Sequence, residues 1–90
     1  MAVNHFIYSA MYSIYVIQSR IDKRIYVGLS ANVEKRVEDH NSGRVFSTKG
    51  YRPWILVYTE KVGSRKEARE RERFFKSGCG KEYIKLTILG

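Results

Sequence analysis

From residue 12 to residue 30 two apolar runs, Ile14-Tyr15-Val16-Ile17 and Ile25-Tyr26-Val27, stand on either side of a polar turn around Arg20 to Lys23. Tyr12 to Ser19 and Arg24 to Ser30 are rich in Ile, Val and Tyr, which predicts two strands joined as a hairpin. Side chains alternate across a strand, so an even-numbered loop puts odd-numbered residues of the first strand on the face of even-numbered residues of the second. One face then carries Tyr12, Ile14, Val16, Ile25, Val27 and Leu29, a nearly pure hydrophobic set that predicts core. The other carries Ser13, Tyr15, Ile17, Tyr26, Gly28 and Ser30. Two tyrosines therefore share a surface, beside small residues that leave space for something to approach.

The period then becomes helical. Ser30 or Asn32 caps a helix running through about Asn41 and stopped by Gly43, with Val33, Arg36, Val37 and His40 at spacing i, i+3, i+4, i+7. Two of those four are polar, which places Arg36 and His40 at the edge where helix meets sheet. The loop "SGRVFSTKGYRP" interleaves Arg44, Lys49 and Arg52 with Phe46 and Tyr51, a composition suited to phosphates and exposed bases. "WILVYTE" is apolar on both faces at its centre and predicts a central or doubly covered strand rather than an edge. Ser64-x-x-Glu67 forms a capping box that opens a helix to about Ser77. Ala68, Glu72 and Phe75 share one of its faces, with Arg65, Lys66, Arg69, Arg73 and Lys76 mostly elsewhere. "EYIKLTIL" suits either a last helical turn or an extended tail.

Ninety residues support one core, in which about 60 to 65% of the unfolded chain's surface is buried. No apolar stretch reaches the ~18 to 20 residues of a membrane span, and a soluble chain is expected. Cys79 has no possible intrachain partner and "MAVNHFIYSA" lacks the features of a secretory leader, which predicts a reducing, cytoplasmic setting. Residues 1–11, including His5, read as a poorly ordered extension, and residues 12–90 as the functional domain. Seventeen Lys and Arg against nine Asp and Glu leave a net charge of +8, which favours a polyanion, with nucleic acid the leading partner. The sequence has no Cys or His spacing for zinc, no Gly-rich phosphate loop and no paired aspartates for a two-metal site. No small-molecule cofactor is expected, and oligomeric state is not encoded in any pattern.

Tyr15, Tyr26, Arg36, His40 and Glu72 remain, each on a face or edge that the hydrophobic pattern leaves unexplained. Their order and intervals resemble a small stand-alone GIY-YIG nuclease domain. Ser13-Ile14-Tyr15 stands at the first tripeptide and Tyr26-Val27-Gly28 at the second. "VEKRVEDHNSG" supplies Arg36 and His40, and "EARERERFFKSG" supplies Glu72 at the family's metal-binding glutamate. The resemblance covers residues 12 to about 84. It departs at Ser13 and Val27, which replace glycine and isoleucine, and in having no terminal-helix asparagine after Glu72.

The resemblance implies an α/β fold, a three-stranded antiparallel sheet flanked by helices in the order β-β-α-β-α-α. It also implies hydrolysis of a DNA phosphodiester with one divalent ion, Mg²⁺ or Mn²⁺, at Glu72. One carboxylate suffices for such an ion when water and substrate phosphate complete its shell. Arg36 would add a two-pronged donor to the same phosphate oxygens. Either Tyr15 or Tyr26 would act as base, although a reference pKa near 10 makes phenolate at neutral pH cost roughly 4 kcal/mol. Nearby cations are therefore expected to lower it, and His40 is an alternative proton carrier. Arg44, Lys49, Arg52 and Lys76 are the expected DNA contacts. The functional expectation is a structure-guided endonuclease in DNA repair or processing, with a non-cleaving nucleic-acid-binding module of the same fold as the alternative.

Overall fold

The hairpin forms in the register that the alternation requires. Strand β1 (Tyr12–Ser19) lies antiparallel to β2 (Ile25–Ser30), with Ser13 opposite Ser30, Tyr15 opposite Gly28 and Val16 opposite Val27. This is a computed structural model; it describes residues 12–90, and the expectation for residues 1–11 lies outside the described residues. At the turn, Asp22 accepts hydrogen bonds from the Arg24 backbone N–H and Nε, and Lys23 takes a positive φ of 66°.

Helix α1 (Val33–Ser42) starts where Asn32 accepts a hydrogen bond from the Lys35 N–H, and it ends at Gly43. There φ is 86°, a left-handed conformation that glycine adopts without a Cβ penalty, and its N–H returns to the Asp39 and His40 carbonyls. A short 3₁₀ turn (Lys49–Tyr51) leads into β3 (Trp54–Val62). Helix α2 (Arg65–Lys76) begins with Ser64 accepting from the Glu67 N–H, while the Glu67 carboxylate takes the Gly63 N–H. The reciprocal bond of the capping box thus reaches one residue further back than the usual pattern. Helix α3 (Gly78–Tyr83) follows at once and runs into a π-helical turn (Ile84–Ile88), so the C-terminal stretch is helical rather than extended.

The strand order is β2-β1-β3, which corrects the expectation for "WILVYTE": β1 is the central strand and β3 an edge. The reason lies in the ladder. Val16 pairs with Tyr58 and Ile17 with Leu56, leaving Val57 as an extra residue in β3. Such a bulge reverses which face each side chain takes, so apolar residues are needed on both sides in turn and the run loses its alternation. Ile55 and Leu56 remain 38% and 43% exposed, as suits an edge.

Both sheet faces are covered. Ile14, Val16 and Val27 pack with Val62, Ala68, Phe75 and Ile84 beneath α2 and the C-terminal helix. On the other side Tyr15, Ile17 and Trp54 form a smaller core with Val33, Val37 and Tyr51 at their margin. Arg71 braces the first layer through two hydrogen bonds to Glu60, of 2.7 and 3.0 Å. Asn41 ties α1 to β3 by exchanging two hydrogen bonds with the Trp54 backbone.

Candidate active site

Tyr15 occupies the middle of the central strand and is 1% exposed. The residue across the ladder is Gly28, whose missing side chain makes room for the Tyr15 ring: a Cβ there would fall 2.6 Å from Cε1 and closer still to Cζ and the hydroxyl. The space beside the tyrosines is therefore filled by one of them, a correction to the idea that it stays open for a ligand. Tyr26, two residues earlier on β2, stands 6.3 Å away between ring centroids and is only half-buried.

His40, delivered by the last turn of α1 and completely buried, packs against both rings, 5.8 Å from Tyr15 and 4.8 Å from Tyr26 between centroids. It had been expected at an edge. Its Nε2 is 2.8 Å from the Tyr15 hydroxyl, and its Nδ1 is 2.8 Å from Thr48 Oγ1. The Thr48 hydroxyl donates a longer bond, 3.3 Å, to the Val45 carbonyl. Its oxygen is then free to accept from Nδ1–H, which assigns the proton to Nδ1 and leaves Nε2 to accept from Tyr15. Tyr26 meets the imidazole edge-on at 4.8 Å.

The electrostatics follow from this burial. Desolvation, reinforced by the Arg36 guanidinium and partly opposed by Asp39, holds the His40 pKa below its ordinary value, so the ring is neutral. Desolvation likewise pushes the Tyr15 hydroxyl up to about 12, with Tyr26 and Glu72 adding to the rise and Arg36 opposing it. For Tyr15, burial outweighs the Arg36 guanidinium, so that cation by itself does not lower the hydroxyl as expected.

Tyr15, Tyr26 and Gly28 form one side of a cleft of about 480 Å³, with Arg36 at its margin. Helix α2 supplies the other side through Arg69, Glu72, Arg73 and Lys76. Four of the five expected chemical positions thus line one cleft, and the fifth, His40, lies directly behind Tyr15. Lys76 joins them with its Nζ 3.2 Å from Glu72. The other three expected DNA contacts do not reach the cleft. Arg44 pairs with Asp39 at 3.1 Å, Lys49 lies 5.0 Å over the Phe46 ring, and Arg52 donates to the Lys49 carbonyl.

Three contributors escape the sequence pattern. Arg69 lies three residues before Glu72, the spacing at which helical side chains are neighbours, and Arg73 lies four after Arg69, so helical periodicity carried from Glu72 through Arg69 reaches both. Thr48 sits in a loop with no periodic signal, and only its contact with His40 identifies it.

The model of the GIY-YIG catalytic domain matches residues 11–83. A UPF0213 protein of Staphylococcus haemolyticus is 35% identical over 78 residues, spanning 86% of this chain and 94% of the relative. The human structure-specific endonuclease subunit SLX1 is 37% identical over 51 residues, 52% of this chain but 18% of that protein. A solution NMR structure of a UPF0213 protein from Bacillus halodurans superposes with a TM-score of 0.53 at 30% identity, covering 86% of this chain and 85% of that one. No helix among the described residues is long and apolar enough to cross a membrane.

Proposed function

The chain belongs to the GIY-YIG catalytic-domain family, and from that premise we propose that it is a divalent-metal-dependent endonuclease hydrolysing DNA phosphodiester bonds. It would act in the cytoplasm, guided by DNA structure rather than sequence, in repair or processing. The observation that carries this reading is the meeting of two tyrosines, an arginine and a single carboxylate in one basic cleft. The similarity to a protein named as a structure-specific endonuclease subunit points the same way.

The donors fit a hard, oxygen-seeking ion. Among the described residues no three His, Cys, Asp or Glu side chains form a cluster, whereas Glu72 offers carboxylate oxygens to a cleft of about 480 Å³. That volume admits the water and phosphate oxygens that complete the shell of one Mg²⁺ or Mn²⁺ held by a single carboxylate. When bound, such an ion supplies positive charge where negative charge grows on the phosphate and the departing 3′ oxygen.

The protein's own part begins with proton transfer. With the Tyr15 hydroxyl near 12, keeping a standing phenolate at pH 7 would cost about 7 kcal/mol, five pH units at 1.36 each. A relay avoids that cost. As Tyr15 oxygen takes a proton from the attacking water, its own proton passes to His40 Nε2, and Thr48 stabilises the resulting imidazolium at Nδ1. Tyr26, the more exposed phenol, orients water or phosphate. Arg36, Arg69 and Arg73 hold the phosphate oxygens, Arg36 being only loosely engaged by Asp39 at 3.9 Å.

A second reading, a nucleic-acid-binding module of this fold without appreciable cleavage, draws on the Lys76–Glu72 ion pair, which engages the only carboxylate that lines the cleft among the described residues. Incubating pure protein with branched, flapped and single-stranded DNA, with Mg²⁺ or Mn²⁺ and then EDTA, separates the two. Cleavage abolished by EDTA is expected; tight binding with intact DNA would select the second reading.

A further inference from the structure

A second cavity, of about 410 Å³, opens at the hairpin end of β2, and four of its lining side chains are cations: Lys23, Arg24, Lys81 and Lys85. Among the described residues no carboxylate lines it, and its floor includes Ile25 and Leu89. Of the four, only Arg24 takes part in an ion pair among the described residues, with Asp22 in the turn. None of them belongs to the cleft around Glu72 or to the α1–β3 loop.

The two cavities are built from the same two parts of the fold. Each has one side from β2 or the turn that leads into it: Tyr26, Gly28 and Leu29 at the cleft, Lys23, Arg24 and Ile25 at the groove. Each has its other side from the C-terminal helices: Arg69, Arg73 and Lys76 at the cleft, Lys81 and Lys85 at the groove. Cations thus recur along the helical side from α2 into the π turn. Ile25 and Leu29 are four residues apart on one strand, about 13 Å at ~3.3 Å per residue. That matches about four base-pair steps of duplex, each carrying a phosphate on either strand.

We propose that this groove is a second phosphate-binding site, which holds the backbone of the DNA several nucleotides from the bond being cut. The inference rests on the nuclease reading of the cleft and adds to it a fixed direction for the flanking DNA. Lys81, Lys85 and Lys23 bind the phosphates, and the apolar floor of Ile25 and Leu89 faces the deoxyribose carbons. A groove meant for an apolar peptide would not concentrate uncompensated cations at its rim. Only a polyanion gains from both cavities at once, because one covalent strand spans them.

The test uses the full chain and its exposed-residue variant Lys81→Ala/Lys85→Ala, with circular dichroism to verify the fold. Affinity is measured by anisotropy, in Ca²⁺ to prevent cutting, on flapped duplexes whose flanks are shortened separately on each side of the junction. For the wild type, removing about four base pairs from one flank weakens binding, while removing them from the other has little effect. In the variant that dependence disappears. Its log–log salt slope on the long duplex is smaller by about 1.8, from two lost contacts at ~0.9 each, with the single-turnover rate at saturating protein unchanged. Equal slopes for variant and wild type, or equal tolerance of both flanks by the wild type, would overturn the second site while leaving the nuclease reading intact. A wild-type protein that neither binds nor cuts any of these duplexes would overturn both.

Discussion

A single methyl group at position 28 should disconnect the proton relay. The Gly28 backbone has no positive φ, so its lack of a side chain matters only for the space given to Tyr15. A Cβ there lies 2.6 Å from Tyr15 Cε1, whereas ordinary contact begins at 3.4 Å, and the contacts to Cζ and the hydroxyl are tighter still. The ring must retreat by about 1 Å, inside a core where little free volume exists to receive it. That movement exceeds what the 2.8 Å bond to His40 Nε2 can absorb. Lengthened by so much it ceases to be a hydrogen bond, and shortened by so much it becomes a clash. Overpacking costs about 1–3 kcal/mol and an unpaired buried acceptor about 1–3 kcal/mol. One displacement causes both, so the combined loss is at least about 2 kcal/mol, the sum of the two lower bounds, or at least roughly 8 to 16 °C in Tm for a domain this small. A reacting group misplaced by 1 Å also costs on the order of 10²-fold in rate. Gly28→Ala is therefore assayed by calorimetry and by single-turnover cleavage of a flapped duplex well below the lowered Tm, with DNA affinity measured alongside. The variant binds nearly as well as wild type and cuts about 10²-fold more slowly. Wild-type cleavage with an unchanged Tm would refute the reasoning, because the ring could then not depend on the missing side chain.

Three further outcomes follow from the same geometry. His40 is held below its ordinary 6.5, so as pH falls the unfolded chain takes up its proton first. Stability is then full above about pH 6.5 and declines below it toward the depressed folded value, and His40→Gln flattens that decline in Tm-versus-pH curves; a wild type that gains stability from pH 7 to 6 would contradict this. Thr48→Val strands the imidazole N–H at a cost of about 1–3 kcal/mol and slows cleavage, whereas Thr48→Ser restores both; equal effects of the two substitutions would remove the hydroxyl from the relay. Arg44→Ala and Lys49→Ala each lower the salt slope of DNA binding by about 0.9 if the α1–β3 loop contacts phosphate, and unchanged slopes would direct the DNA away from it.

The parts of this fold that depend on local periodicity could be read from the sequence. The hairpin register follows from the alternation of Ile14, Val16 and Val27 against Tyr15, Ile17 and Tyr26, since a slip of one residue would expose the whole hydrophobic set. The helix starts at Asn32 and Ser64 and the stop at Gly43 follow from capping chemistry. Position in the sheet did not follow, because the Val57 bulge mixes two alternation phases and an edge strand then looks like a buried one. The meeting of Tyr15, Tyr26, Arg36 and Glu72 was legible through family resemblance and was otherwise a set of faces without partners. The direction of the Tyr15 shift was not legible, since it depends on how completely α1 and Gly28 enclose the ring. Thr48 was invisible for a similar reason: a hydroxyl in an irregular loop becomes important only when a helix brings an imidazole against it.

The most direct test of the cleft is to remove its carboxylate and measure cutting and binding in the same preparation. With Mg²⁺ present, Glu72→Ala should lose at least about 10²-fold in single-turnover cleavage of a flapped duplex. Its affinity for that duplex should hold or rise, because Lys76 is released from its 3.2 Å ion pair. Cleavage at the wild-type rate, or a loss of affinity as large as the loss of cleavage, would contradict a hydrolytic role for this cleft.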